Sequence, residues 1–160
     1  MMQFIHYPPF ILYFWDYKLL YLGMRVIAYN ILGPEKEHLA KANGKVHDLT
    51  LISNELNFST MHYAIGKEAV IISDRDVLDR VMLFELFNIG IRNIVTRSRS
   101  TEHIDLDYAG ELKIHVANVP FETSLQGVAK QTIMNSHNGW WEAVQGKLAN
   151  VEWIAKTRLI

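Results

Sequence analysis

Short apolar runs, rich in β-branched residues, recur along this 160-residue chain, and between them apolar positions return every three or four residues. The runs are Arg25 to Tyr29, Asp48 to Ile52, Ala69 to Ile72, Asn93 to Thr96 and Lys113 to Ala117. Alternation of these two periods predicts strands joined by crossover helices. Ala69-Val70-Ile71-Ile72 is apolar at every position, as expected of a central strand buried on both faces. Gly33-Pro34 followed by Glu35 and Glu37 predicts a helix start, because acidic groups are favoured at the positive end of a helix dipole. Leu39 and Ala42 should face inward, and Asn43-Gly44 should end that helix. A short helix is expected from Thr60 to Ile65, closed by Gly66. Asp76 is expected to cap the next helix, with Val77, Val81, Phe84, Leu86 and Phe87 as its buried stripe and Gly90 as its end. Leu106 to Gly110 reads as a single helical turn. The last helix should run from about Ser124 to Gly146, with a break at Asn138-Gly139.

Five strands with crossover helices predict an α/β fold, a flavodoxin-like three-layer domain with a five-stranded parallel sheet. Ligands of such sheets lie outside the carboxyl ends of the strands. The loops to watch are therefore those at Asn30, at Ser73-Asp74-Arg75 and from Arg97 to Thr101.

Composition narrows the chemistry. Hydrophobic residues make up 49% and charged residues 21%, with a formal charge of −1, a globular balance that gives no electrostatic reason to expect nucleic acid or an anionic membrane. Without cysteine, disulfides, thiolate nucleophiles and cysteine zinc sites are excluded, and a cytoplasmic location fits best. The seven histidines, at 6, 38, 47, 62, 103, 115 and 137, form no i, i+4 pair, so no metal site is expected. Ser98, Ser100, Ser124 and Ser136 have no nucleophile-elbow context. None of the nine glycines forms a Gly-x-Gly pair and no phosphate loop ends in Gly-Lys-Ser/Thr, so the chain is not expected to bind NAD by itself. The aromatic stretch Phe10 to Trp15 lies between Pro8-Pro9 and Asp16, short of the roughly 18 to 20 apolar residues that cross a membrane. Residues 1–23 read as an upstream extension, with Met24 as the natural start of a domain spanning 24–160. Of Trp140 and Trp141, adjacent on one helix, one should pack and the other lie partly exposed.

Arg97-Ser98-Arg99-Ser100-Thr101-Glu102-His103-Ile104-Asp105, followed by Ala117-Asn118-Val119-Pro120, resembles the D-isomer-specific 2-hydroxyacid dehydrogenases, and the D-lactate dehydrogenases among them. Met24 to Asn30 resembles that family's first strand. Leu125 to Thr132, with Asn135 and Gly146-Lys147, is similar to its C-terminal helix. The resemblance implies a substrate domain whose two halves are joined directly, without the nucleotide-binding domain between them. It also implies that the family's catalytic histidine, carboxylate and arginine have no counterpart here, so no catalytic residue is assigned; His115 and His137 match no catalytic motif. What it does place is the turn whose backbone N–H groups receive a substrate carboxylate, here Arg99 and Ser100. Such successive N–H groups form an anion-binding nest. Serine stands where the family has glycine, and its Cβ would resist a positive φ. Arg97, Thr101, Ile104 and Asp105 are expected to fix this loop and cap the short helix.

The function implied is that of a truncated D-2-hydroxyacid dehydrogenase substrate domain, inactive alone. The alternative is a small binding or regulatory module for a 2-oxo or 2-hydroxy acid or for a partner protein. A third arrangement is complementation by a separate nucleotide-domain protein.

Overall fold

The computed structural model of the protein describes residues 23–157, with side chains as far as Trp141. The segment read as an upstream extension lies outside the described residues except for Gly23. Five strands, β1 (Arg25–Ala28), β2 (Asp48–Leu51), β3 (Ala69–Ile72), β4 (Asn93–Thr96) and β5 (His115–Ala117), pair in parallel in the order β2-β1-β3-β4-β5. Among the described residues four helices cover them: α1 (Gly33–Asn43), α2 (Arg80–Asn88), α3 (Leu106–Glu111) and α4 (Leu125–Thr157), with a 3-10 turn at Met61–Ala64.

Period-two alternation divides the interior into two apolar layers. Ile27, Tyr29, Val70, Ile72 and Ile94 pack with Met82, Leu83 and Leu86 of α2 and Ala109 of α3. On the other face, Val26, Ala28, Ile71 and Val95 pack with Leu39 of α1 and Ala129, Ile133 and Trp140 of α4. All four residues of β3 are buried completely, as the unbroken apolar run predicted. This is the three-layer α/β arrangement expected from the sequence.

Local signals explain most of the ends. Gly44 ends α1 in the left-handed conformation at φ 48°, and Asp105 caps α3 by accepting the Tyr108 N–H at 3.0 Å. Two expectations fail. Asp76 does not cap α2; Asp79 does, accepting the Met82 N–H at 2.9 Å. The intervening segment is held extended, because the Leu78 N–H donates to the His103 carbonyl and its own carbonyl accepts from the Asp105 N–H. With the helix starting late, Met82, Leu83 and Leu86 turn inward, and Val77, Val81 and Phe84 face solvent. Of the expected stripe, Leu86 is buried and Phe87 packs against the core, while Val77, Val81 and Phe84 do not face inward.

The second failure is the break at Asn138-Gly139, since α4 runs through both residues. Gly139 is there for close approach. A Cβ on it would sit 2.4 Å from Nδ2 of Asn93, whose side chain is fixed by the Ser136 carbonyl at 3.2 Å and by Nδ1 of His115 at 3.1 Å. Trp140, next along the helix, is buried, whereas Trp141 is 39% exposed.

His47 is buried where α1 hands over to β2. Its Nδ1 accepts the Met24 N–H at 3.1 Å, so Nε2 carries the proton; that atom is buried and has no partner among the described residues. Burial, helped by the His137 ring 5.9 Å away, lowers its pKa to about 4.

Two outcomes follow from this packing. Gly139→Ala should destabilise the fold by about 1–3 kcal/mol, since Asn93 must give up its bonds to make room, measurable by urea unfolding. The unfolded chain protonates His47 near the ordinary value of 6.5 and the folded chain only near 4. The stability that a neutral His47 confers is therefore complete above pH 6.5 and lost as the pH falls toward 4. Midpoints of thermal unfolding across that window should fall for the native chain and be flatter for His47→Asn, which keeps an acceptor for Met24.

Candidate functional site

The carboxyl ends of β1, β3 and β4 bring together the three loops singled out in the sequence. Arg97 leaves β4 and turns its guanidinium back under the loop after β1. It pairs with the Glu35 carboxylate and donates to the carbonyls of Tyr29 at 3.1 Å and Asn30 at 3.2 Å. Its side chain is only 5% exposed, and burial lowers its pKa while Glu35 opposes that shift. Glu35 also accepts the Leu32 N–H at 2.9 Å, so one carboxylate both closes the first turn of α1 and neutralises the buried cation.

Asn30 adopts a left-handed conformation at φ 59°, which asparagine tolerates better than most residues. Its amide reaches Oγ of Ser73 at 3.2 Å. Asp76 completes the floor, accepting the N–H groups of Leu56 at 2.8 Å and Ser73 at 2.9 Å. Buried at 1% exposure, this carboxylate is satisfied by donors from two loops.

The loop after β4 is fixed at three successive carbonyls. The Ser98 carbonyl accepts the Val119 N–H at 3.0 Å, the Arg99 carbonyl accepts Nδ2 of Asn118 at 2.7 Å, and the Ser100 carbonyl accepts the Ser98 hydroxyl at 2.7 Å. The last bond dictates a chain of donors. Because the Ser98 proton is spent on Ser100, the 2.7 Å contact between the hydroxyls of Thr96 and Ser98 must use the Thr96 proton. The 3.0 Å contact between Thr96 and Nε2 of His103 then requires that His103 donate. Burial lowers the His103 pKa, with Asp74 and Asp76 opposing the shift. The neutral, Nε2-protonated ring is the form that fits.

Within this turn the backbone N–H groups of Arg99 and Ser100 have no hydrogen-bond partner among the described residues, and both residues are exposed. Ser100 does not adopt a positive φ, so the expected conflict between its Cβ and a glycine conformation does not arise. Thr101 and Ile104 stay beside the turn through the bond from the Ile104 N–H to the Thr101 carbonyl, with Ile104 buried. Asn118 and Asn135 were legible only as members of resembling motifs, with no role attached. The pairing of Arg97 with Glu35, 62 residues apart, had no signal in the sequence beyond the two charges.

The profile of the D-isomer specific 2-hydroxyacid dehydrogenase catalytic domain matches residues 26–132. The chain belongs to this family. An aromatic 2-oxoacid reductase of Clostridium sporogenes is 32% identical over 98 residues, which cover 61% of this chain and 30% of that protein. A D-lactate dehydrogenase of Leuconostoc mesenteroides subsp. cremoris is 29% identical over 99 residues, with the same shares of each chain. Among solved structures, apo D-lactate dehydrogenase from Escherichia coli superposes with a TM-score of 0.60 at 31% identity, covering 62% of this chain and 32% of that one. The pyruvate reductase of Chlamydomonas reinhardtii, at 24% identity, shares the fold with a TM-score of 0.61. The chain thus spans about 30% of the length of the curated relatives it matches.

The family implies a nicotinamide dinucleotide, and the described residues do not fit one. The helix start after β1 is where a pyrophosphate would seek backbone N–H groups. Here Glu35 already occupies the Leu32 N–H, Pro34 supplies no N–H, and a carboxylate there would repel a phosphate. Among the described residues there is no cluster of three or more histidine, aspartate or glutamate side chains able to hold a metal ion, and no helix long and apolar enough to cross a membrane.

Arg97→Met should cost about 3 kcal/mol, because it leaves Glu35 and two carbonyls without their donor. Adding Glu35→Gln should recover part of that loss in a double-mutant cycle read by urea unfolding.

Proposed function

We propose that this chain acts as the substrate-binding domain of a D-2-hydroxyacid dehydrogenase, receiving the carboxylate of a small 2-oxo or 2-hydroxy acid on the N–H groups of Arg99 and Ser100. The observation that carries this reading is the pair of N–H groups, unpartnered among the described residues, in a turn at the carboxyl end of β4. Two adjacent donors of that kind favour a carboxylate, and the exposed Arg99 side chain adds a positive charge at the rim. The names of the relatives, an aromatic 2-oxoacid reductase and D-lactate dehydrogenases, agree on the substrate class and differ in the side chain. We therefore assign the class only.

Hydride transfer is not assigned to this chain by itself. A substrate carboxylate here would be held and oriented, while the dinucleotide and the acid/base pair would come from a separate nucleotide-binding domain. We place this activity in the cytoplasm, in keeping with the absence of cysteine.

Pyruvate titrated to millimolar concentration into the full chain should shift the amide resonances of Arg99 and Ser100 saturably, while NADH fluorescence stays unchanged on adding the protein. Silent amides under pyruvate, or reduction of pyruvate by NADH with this chain alone, would overturn the reading.

A further inference from the structure

The peptide groups around the turn are trans, and a planar trans peptide points its N–H opposite to its own carbonyl. The N–H of Arg99 belongs to the peptide whose carbonyl is that of Ser98, and the N–H of Ser100 to the peptide whose carbonyl is that of Arg99. Both carbonyls are captured by one short segment: Ser98 by the Val119 N–H and Arg99 by the Asn118 side chain. Capturing the two carbonyls on one side turns the two N–H groups to the other.

The two captures differ in kind. Val119 acts through its backbone, so its bond survives any side-chain change. The bond to Arg99 rests on the Asn118 amide alone. Asn118 is itself anchored, since its backbone carbonyl accepts Nδ2 of Asn135 on α4 at 2.8 Å, and Oδ1 of Asn135 accepts Nε2 of Gln131 at 2.8 Å. A hydrogen-bonded line therefore runs from the surface of α4 to the peptide that presents the Ser100 N–H.

We infer that Asn118 is a positioning residue, held by Asn135 of α4, which turns the Ser100 N–H outward beside that of Arg99 so that the two face one anion. This deepens the carboxylate reading above and rests on it for the identity of the anion. Asn118 touches no reacting atom; it acts through the Arg99–Ser100 peptide.

Orientation and binding are measured separately on the full chain. Residual dipolar couplings of the Arg99 and Ser100 N–H vectors are recorded without ligand for the native chain, Asn118→Asp and Asn118→Ala. A carboxylate at position 118 repels the Arg99 carbonyl and alanine merely releases it, so the Ser100 coupling should change in both. The amide shifts of Val26 and Ile71 and the thermal midpoint should stay in place. An unchanged Ser100 coupling in both variants overturns the inference, whatever pyruvate does. If Asn118→Asp does not fold, Asn118→Ala alone decides. Pyruvate should then bind the variants about tenfold more weakly than the native chain, the loss expected of one hydrogen-bonded donor. Equal affinity for all three chains would also overturn the inference. A native chain that ignores pyruvate while the couplings respond would overturn the carboxylate reading and leave the positioning role of Asn118 supported.

Discussion

One buried cation organises the carboxyl end of this sheet. Arg97 lies beneath the loop after β1, where it meets the Glu35 carboxylate and the carbonyls of Tyr29 and Asn30. Withdrawing a guanidinium from water costs several kcal/mol; here Nη1 and Nη2 make the bonds that offset it, while Nε is buried with no partner among the described residues. The loops after β1 and β4 and the start of α1 are consequently mutually dependent. Glu35 cannot leave the helix start without stranding Arg97, and the left-handed turn at Asn30 keeps the carbonyl in reach.

This constraint acts in two places. It supplies the base from which the turn at Arg99 and Ser100 departs, and through Glu35 it engages the Leu32 N–H at the start of α1. Around the turn, the successive capture of three carbonyls limits which way the peptides can face. The line from His103 through Thr96 and Ser98 to Ser100 does so from within the loop; Asn118 and Val119 do so from beyond β5.

The opposite end of the sheet has its own logic. There α4 approaches closely enough that Gly139 lies on the Asn93 side chain, and the same helix sends Asn135 toward Asn118. One helix therefore spans both ends of the domain, packing its apolar side on β4 and α1 while Asn135 reaches the loop after β5. The helix that completes the core also braces the proposed carboxylate turn.

The sequence by itself determined the sheet, because strand runs such as Ala69 to Ile72 are apolar at every position and burial on both faces tolerates little else. It determined the ends that depend on one residue's local chemistry, as at Gly44 and Asp105. It also marked Arg97 to Asp105 and Asn118 to Pro120 as a family signature. Only the tertiary structure decided what depends on partners distant along the chain. Asp76 and Asp79 are equally good caps in isolation, and the pairing of Leu78 with His103 and Asp105 selected between them, bringing Met82 and Leu83 inward beside Leu86 and leaving Val81 and Phe84 outside. Gly139 looked like a break and proved to be a contact, because its neighbour Asn93 is remote in sequence. The direction of the Arg99 and Ser100 N–H groups, which have no partner among the described residues, likewise depends on carbonyls captured from residues 118 and 119, since a peptide's direction is set by what holds its oxygen.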